Sequence, residues 1–495
     1  MSLADLLFGS LDPPVPDDRP AIIHGEECLS RAALTTRAQR LAARLRRAGI
    51  GPGRVVGVRL PDGVEAVAAH FGVWRAGGAL LPLNPRLTAA ELRRILAAVR
   101  PAALIGPGRS GLRIRTRPAP AAVAGDVALV QLTSGTTGPP RPVPLTHTGV
   151  RDLLDRVVGA LRTGSGAGPW PAASRAASPH ASPLPNLVPV SLATWAGIYQ
   201  VLFAFRVGAP VVLLAPFETT RFAAAVAEHG VRSVVLPPAA MHMLLEDPRV
   251  RTLAPLRRVR SITAPLPVPL ARRFMERFGV AVLNSYGQTE LGGEVIGWTA
   301  ADVAGYLEAK LGSVGRPHAG VEVRVTDDDG VPVPTGEVGE LEVRPPAGRA
   351  AVPSLPADRV RPGGWVRTGD LARIDRDGFV WIVGRRSDMI NRGGLKVTPE
   401  EVEDVLRDLP EVADVAVVGR PDDRLGEVPW AFVVPTAGRD VDPGRLAAHC
   451  RTRLAPYKVP VGFETVAALP RNEVGKVLRR VLRERVDPRR SGSAT

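Results

Sequence analysis

The chain has 495 residues, 45% of them hydrophobic and 23% charged, enough for about three folding units of roughly 150 residues each and unlike a fibre or a disordered chain. Lys plus Arg (64) exceeds Asp plus Glu (49), a net charge of +15, yet the excess is spread out and its densest cluster, Arg479 to Arg490, has no interleaved stacking aromatics. A solvated basic face is therefore expected rather than a nucleic-acid partner.

Cys28 and Cys450 are the only cysteines, giving neither a disulfide framework nor metal-ligand spacing, and a reducing cytoplasm fits best. Acids at Asp5, Asp12, Asp17 and Asp18 leave no signal-peptide pattern.

In chain order, residues 30–50 open on Ser30, a good N-cap, and carry Leu34, Leu41 and Leu45 at helical spacing. A strand at Arg54–Leu60, a helix at Gly63–Ala76 closed by Gly77-Gly78, a strand at Ala79–Leu83 and a helix at Thr88–Val99 follow. This rhythm predicts a mostly parallel α/β sheet. The apolar run Val127–Leu132 then leads into Thr133-Ser134-Gly135-Thr136-Thr137-Gly138, with Arg141 just beyond. The Gly-, Ala-, Ser- and Pro-rich stretch Thr163–Ser182 reads as a mobile surface loop. Ala181–Phe205 is uncharged, but its prolines, Asn186, Thr194 and Gln200 suit a buried strand and helix better than a membrane span. Strands at Pro210–Leu214, Ser233–Leu236 and Ala281–Leu283, with a helix at Thr220–His229, continue the alternation.

Beyond Gly315 the pattern changes to short β stretches and turns, and a composition break falls at Gly384–Asp388. An α+β pattern ends the chain: helix Pro399–Leu406, strands Val412–Val418 and Trp430–Val434, helix Pro443–Leu454 and a basic tail. The predicted fold is thus α/β. Residues 1–385 form a large domain of stacked α/β subdomains plus a β-rich subdomain, and residues 386–495 a small mobile α+β domain, with Asp388 as hinge.

A strand that ends in small hydroxyl residues and glycines suits phosphate, because the glycines let backbone N–H groups turn inward and the hydroxyls add donors. A plain surface loop would have the same composition, and G-x-x-x-x-G-K-[ST] is absent. Taken singly, Tyr286-Gly287-Gln288-Thr289-Glu290 and Thr368-Gly369-Asp370 also read as turns.

Together and in this order, Thr133–Gly138, Tyr286–Glu290, Thr368–Asp370, Gly384-Arg385 before Asp388, Gly393-Gly394 before Pro399–Glu403, and Leu469–Lys476 resemble the adenylate-forming superfamily. That superfamily comprises acyl-CoA synthetases, luciferases and peptide-synthetase adenylation domains, and the likeness covers nearly the whole chain. It implies ATP, Mg²⁺ and coenzyme A as cofactors and a small-molecule carboxylic acid, fatty or aryl, as substrate. The acid would be joined to AMP and then passed to coenzyme A; alternatives are a carrier protein or other nucleophile as acceptor, or a non-catalytic nucleotide-binding relative.

By the same resemblance, Thr133, Ser134, Gly135, Thr136, Thr137, Gly138 and Arg141 would hold the β- and γ-phosphates. Tyr286 and Gly287 would face the adenine, Thr289 the α-phosphate, Glu290 the Mg²⁺, Asp370 the ribose hydroxyls and Arg385 the ribose and phosphate end. Lys476 would bridge the substrate carboxylate and the α-phosphate, and Gly393 and Gly394 would pass the pantetheine arm after rotation about Asp388. Thr194, Trp195, Gly197, Ile262 and Thr263 are the candidate acid pocket.

The sequence departs from the family pattern in several places. Arg141 replaces a usual Lys and Pro142 a Gly; Ala193 and Thr194 stand where Phe and His are common; Ile262-Thr263 replaces Gly-Gly. The segment Ser191–Gly197 has no acid to hold an α-ammonium, which disfavours an amino acid. Trp195, Tyr199, Met241 and Met243 are candidates for an apolar lining, with core packing as the alternative.

Overall fold

The computed structural model describes residues 2–9, 18–108, 111–118, 120–133, 141–162, 183–262, 264–346, 355, 359–472 and 475–487. The low-complexity stretch at 163–182 lies outside the described residues. A six-stranded sheet orders its strands Gly111–Thr116, Ala103–Gly108, Val55–Val58, Ala79–Pro82, Val127–Thr133 and Arg141–Thr146. Its four inner strands run parallel, and the two edges are antiparallel. Val55, Val56, Ala79, Leu80 and Leu81 are wholly buried, because helices cover both faces of a parallel sheet.

The helix Arg31–Arg47 buries Leu34, Ala38, Leu41 and Leu45 along one stripe, and the Ser30 hydroxyl accepts from Ala33 N–H at 3.2 Å. Helices Val64–Ala76 and Trp195–Arg206 meet through Phe71 and Phe205, edge to face at 5.2 Å. Trp74 Nε1 donates to Ala128 O at 2.8 Å, fixing the strand that runs toward residue 133. The uncharged stretch resolves into the strand Asn186–Val188 and the helix Trp195–Arg206. Among the described residues no helix is long and apolar enough to cross a membrane.

Smaller sheets complete the large part. Asn186–Val188 and Val211–Leu213 join Pro20–His24 in parallel, and Ser233–Leu236, Arg258–Ser261 and Ala281–Asn284 form a parallel trio. An antiparallel ribbon, Tyr286–Gln288 with Gly293–Gly297, leads into an antiparallel sheet that includes Trp365–Ile374 and Val380–Arg385.

The C-terminal part has its own sheet and core. Val402, Leu406, Val417, Val433, Leu446 and Cys450 pack together, and burial pushes the Cys450 thiol up to about 11. Cys28 is exposed. The described part of the basic tail is the helix Arg479–Val486, whose arginines are engaged: Arg479 with Glu400 and Glu403, Arg480 with Glu484, Arg483 with Asp388, Arg485 with Glu464.

Asp388 is 3% exposed and accepts from Arg483 Nη2 at 3.1 Å. Glu400 lies so near Gly384 that a β-carbon there would stand 2.6 Å from its carboxylate, and burial pushes Glu400 up to about 7. Other contacts also join the small part to the large one: Lys396 Nζ lies 3.0 Å from Asp328, Arg386 Nη2 lies 3.0 Å from Asp328 and its Nη1 3.0 Å from Glu340, and Gly475 sits against Ala239.

Candidate active site

The strand Val127–Thr133 pairs with Arg141–Thr146 so that Thr133 stands opposite Arg141. The ends of the segment between them are therefore side by side, although Ser134, Gly135, Thr136, Thr137 and Gly138 lie outside the described residues. Gln131, one turn of the pleat earlier, donates from Nε2 to Ala193 O at 3.4 Å. This links the strand Val127–Thr133 to the segment that opens the candidate acid pocket.

That segment is shaped by its own hydrogen bonds. Thr194 Oγ1 donates to Ser191 O at 2.7 Å and accepts from Gly197 N–H at 3.3 Å, so its hydroxyl caps the helix Trp195–Arg206. A β-carbon at Gly197 would run into Ser191 O. Asp62, absent from the sequence reading, accepts from Leu192 N–H at 2.6 Å and from Ser191 Oγ at 3.2 Å, and burial raises its carboxyl above the usual value.

Trp195 is 9% exposed, stacks obliquely on Tyr199 at 5.7 Å and points Nε1 toward Gly293, 3.6 Å from where a β-carbon would lie. Met241 belongs to a different core, around Phe222 and Val259, and Met243 is 47% exposed, so neither shares that wall. Ile262 follows Ser261, whose carbonyl accepts from Ser285 N–H at 3.1 Å, next to Tyr286. Thr263 lies outside the described residues.

The ribbon forms the next wall. Gly287 packs onto Gly293 so closely that a β-carbon would strike its carbonyl, which explains the small residue at this point. Behind the ribbon Glu294 pairs with Arg260, His318 and Ser285; burial opposes its charge, yet Arg260 and His318 hold it down to about 2. Tyr286 is buried, and its hydroxyl donates to Asp370 Oδ2 at 2.6 Å. Burial and the Asp370 carboxylate push that phenol well above its ordinary value, so it stays a donor. Gln288 Nε2 also donates to Asp370 Oδ2, at 2.7 Å, and to Thr368 O at 2.9 Å. Thr289 and Glu290 start a 3₁₀ turn directly after, and Glu290 Oε1 accepts from Arg359 Nη1 at 3.3 Å.

Asp370 is the centre of this wall. Arg385 Nε lies 3.0 Å from its Oδ1 across the paired strands, where Asp370 and Arg385 face each other in register. Three of about four carboxylate lone pairs are thus in use. Acceptance of two ribose hydroxyls requires one present partner to give way.

Lys476 enters from the small part. Its backbone N–H donates to Asn472 Oδ1 at 2.8 Å, and Asn472 N–H donates to Lys476 O at 2.9 Å, closing a tight loop whose Gly475, at φ +80°, rests on Ala239. Lys476 is half-buried. Burial and the nearby Arg385 guanidinium lower its ammonium to about 8, against the pull of Asp370 and Asp388. The structure therefore brings Tyr286, Asp370, Arg385 and Lys476 into one electrostatic group. Gly393 and Gly394 form a hairpin tip: Gly393 N–H donates to Leu425 O at 2.7 Å, and Gly394 N–H to Asn391 Oδ1 at 3.0 Å. Their described partners are not nucleotide-site residues.

Asp62, Gln288 and Arg359 were missed from sequence. Only Gln288 carried a signal, lying inside a motif; the others are single polar residues whose partners are distant in the chain.

A family model described as "AMP-binding enzyme" matches residues 14–348, and one described as "AMP-binding enzyme C-terminal domain" matches residues 401–476. The chain is 35% identical over 492 residues to a feruloyl-CoA synthase of Amycolatopsis sp, covering 94% of this chain and 95% of that protein. It is 30% identical over 498 residues to the fatty acid–[acyl-carrier-protein] ligase ScoC of Streptomyces coeruleorubidus, covering 94% and 93%. Its fold is similar to ATP-bound MatB from Rhodopseudomonas palustris, with a TM-score of 0.83 at 26% identity over 99% of this chain and 100% of that one.

Proposed function

Since the chain belongs to the AMP-binding enzyme family, we propose that it activates a fatty or aryl carboxylic acid with ATP and transfers the acyl group to coenzyme A. In the first step a carboxylate oxygen attacks the α-phosphorus and pyrophosphate leaves. In the second a thiol attacks the acyl carbonyl and AMP leaves. The observation that carries this reading is Lys476, half-buried and within electrostatic reach of the Arg385–Asp370 pair. An ammonium there neutralises charge as it grows on the carboxylate and α-phosphate oxygens, the kind of stabilisation that dominates many enzymes. Asp370 and Tyr286 hold the nucleoside end, and Arg385 screens Asp370 from the phosphate.

Glu290 offers hard oxygen to a divalent cation, and Mg²⁺ characteristically takes one or two carboxylates plus substrate phosphates. Among the described residues no group of three or more His, Cys, Asp or Glu gathers into a cage, so Mg²⁺ would rely on ATP for the remaining oxygens. When bound it would offset charge on the departing pyrophosphate. For the acid, Trp195 beside Gly293, with Tyr199 packed on it, favours a planar or apolar body.

The test is pyrophosphate–ATP exchange across a panel of fatty and aryl acids, with thioester formation scored with and without coenzyme A. Exchange with at least one acid and a coenzyme A-dependent thioester is expected. Exchange with no thioester would move the acceptor to a carrier protein, the reading that similarity to ScoC favours. No exchange with any acid would overturn the proposal.

A further inference from the structure

Arg359 is the hub of the nucleotide wall, although no sequence motif includes it. Its backbone is set by a short hairpin in which Val360 faces Val366 and Arg361 faces Trp365. From there the guanidinium reaches four acceptors. Nε donates to Arg367 O at 2.9 Å, Nη2 to Gln288 Oε1 at 2.9 Å and to Thr368 O at 3.3 Å, and Nη1 to Glu290 Oε1 at 3.3 Å. The side chain is 23% exposed, enough shielding for such bonds to hold their geometry.

The bond to Gln288 does more than anchor a side chain. A carboxamide can face either way, and beside the Asp370 carboxylate only the N–H₂ edge is favourable. By holding Oε1, Arg359 turns Nε2 to Asp370 Oδ2 at 2.7 Å and to Tyr286 Oη at 3.0 Å. The chain Arg359–Gln288–Asp370 is then polarised in one direction, each donor aimed at the next acceptor. The same guanidinium fixes Glu290, so the carboxylate assigned to the metal and the carboxylate assigned to the ribose are set by one group.

We propose that Arg359 is a positioning residue that aligns Glu290 for the metal–phosphate end of the nucleotide and, through Gln288, Asp370 for the ribose. This deepens the functional reading above and rests on it. The planar fork is what the geometry requires; a lysine keeps the charge but cannot span Gln288 and Glu290 together.

The experiment uses the full chain with Arg359→Ala, Arg359→Lys and Gln288→Ala. AMP affinity is measured by calorimetry without metal, and Mn²⁺ affinity by electron paramagnetic resonance with a non-hydrolysable ATP analogue. Residues that orient metal ligands change metal affinity about 10–100-fold when removed. Both Arg359 variants should weaken Mn²⁺ by that factor and AMP by several-fold, with Lys failing to rescue. Gln288→Ala should weaken AMP and leave Mn²⁺ unchanged, and adding Arg359→Ala to it should cost AMP binding little more. Parent-like AMP and Mn²⁺ binding in Arg359→Ala, or full rescue by Lys, overturns the proposal. If the Arg359 variants fail to fold, the Gln288→Ala split decides: equal losses of AMP and Mn²⁺ overturn it. Failure of the parent itself to bind AMP would count against the functional reading instead.

Discussion

The two sides of the site are built in opposite ways. The nucleotide wall is overdetermined: Tyr286, Gln288 and Arg385 converge on Asp370, and Arg359 ties Gln288 and Glu290 to Arg367 and Thr368. Lys476 sits on a loop closed, among the described residues, by bonds within residues 470–478 and supported from outside by Ala239 and by Arg471 on Asp414. The wall holds its shape by cross-links between distant segments. The loop is a local structure carried by the C-terminal part. Binding should therefore reside in the wall and chemistry in the loop.

Lys476→Ala is the strongest test of that division. Loss of a charge-stabilising group of this kind costs about 10²–10³ in rate, so pyrophosphate exchange should fall by at least that much while calorimetric AMP affinity stays within a few-fold. A comparable loss of AMP binding would erase the distinction between the two sides.

Asp370→Asn probes the wall. It removes a charged acceptor from three donors, and charge-assisted hydrogen bonds contribute about 1.5–3 kcal/mol. AMP affinity should drop by roughly tenfold or more, in step with the rise in KM for ATP, and kcat should fall less. A kcat loss with unchanged AMP affinity would assign Asp370 to the chemical step.

The smallest expected effect is on pH dependence. Lys476 is lowered from its ordinary value to about 8, so its cationic form is present below that pH and is lost as pH rises through it. In the free enzyme kcat/KM for adenylation should decline on the alkaline side from about pH 8. Lys476→Arg, slower but permanently charged, should lose that limb; its persistence would place the titration elsewhere.

Much of this was legible from sequence because the motifs are contiguous. The strand end at Thr133 announces itself through composition, whereas Tyr286–Gln288 and Thr368–Asp370, which read singly as turns, lie in strands. The helix Arg31–Arg47 and the strands at Val55 and Ala79 follow from periodicity, with ends shifted by a residue or more. Illegible features were those whose physics lies in a partner far along the chain. Asp62 fixes Leu192 across 130 residues and Arg359 fixes Gln288 across 71. Thr194, placed in the acid pocket from alignment, commits its hydroxyl to a helix cap, which only three-dimensional bonding reveals. The basic tail gave the opposite difficulty: its charge was obvious, and its ion pairs with Glu400, Glu403, Asp388 and Glu464 were not.

The joint between the two parts has a consequence at rising ionic strength. Lys396 and Asp328 meet with 61% and 63% of their side chains exposed and Gly475 lies against the methyl of Ala239, whereas Arg386 reaches Glu340, which is 3% exposed. Water-accessible ion pairs contribute roughly 0–1 kcal/mol and weaken further as ionic strength rises. The exposed edge of the seam is therefore weakly held, while the Arg386–Glu340 pair and Glu400 against Gly384 hold a more shielded inner part. Rising ionic strength should loosen that outer edge first and leave the shielded bonds around Asp370 little changed.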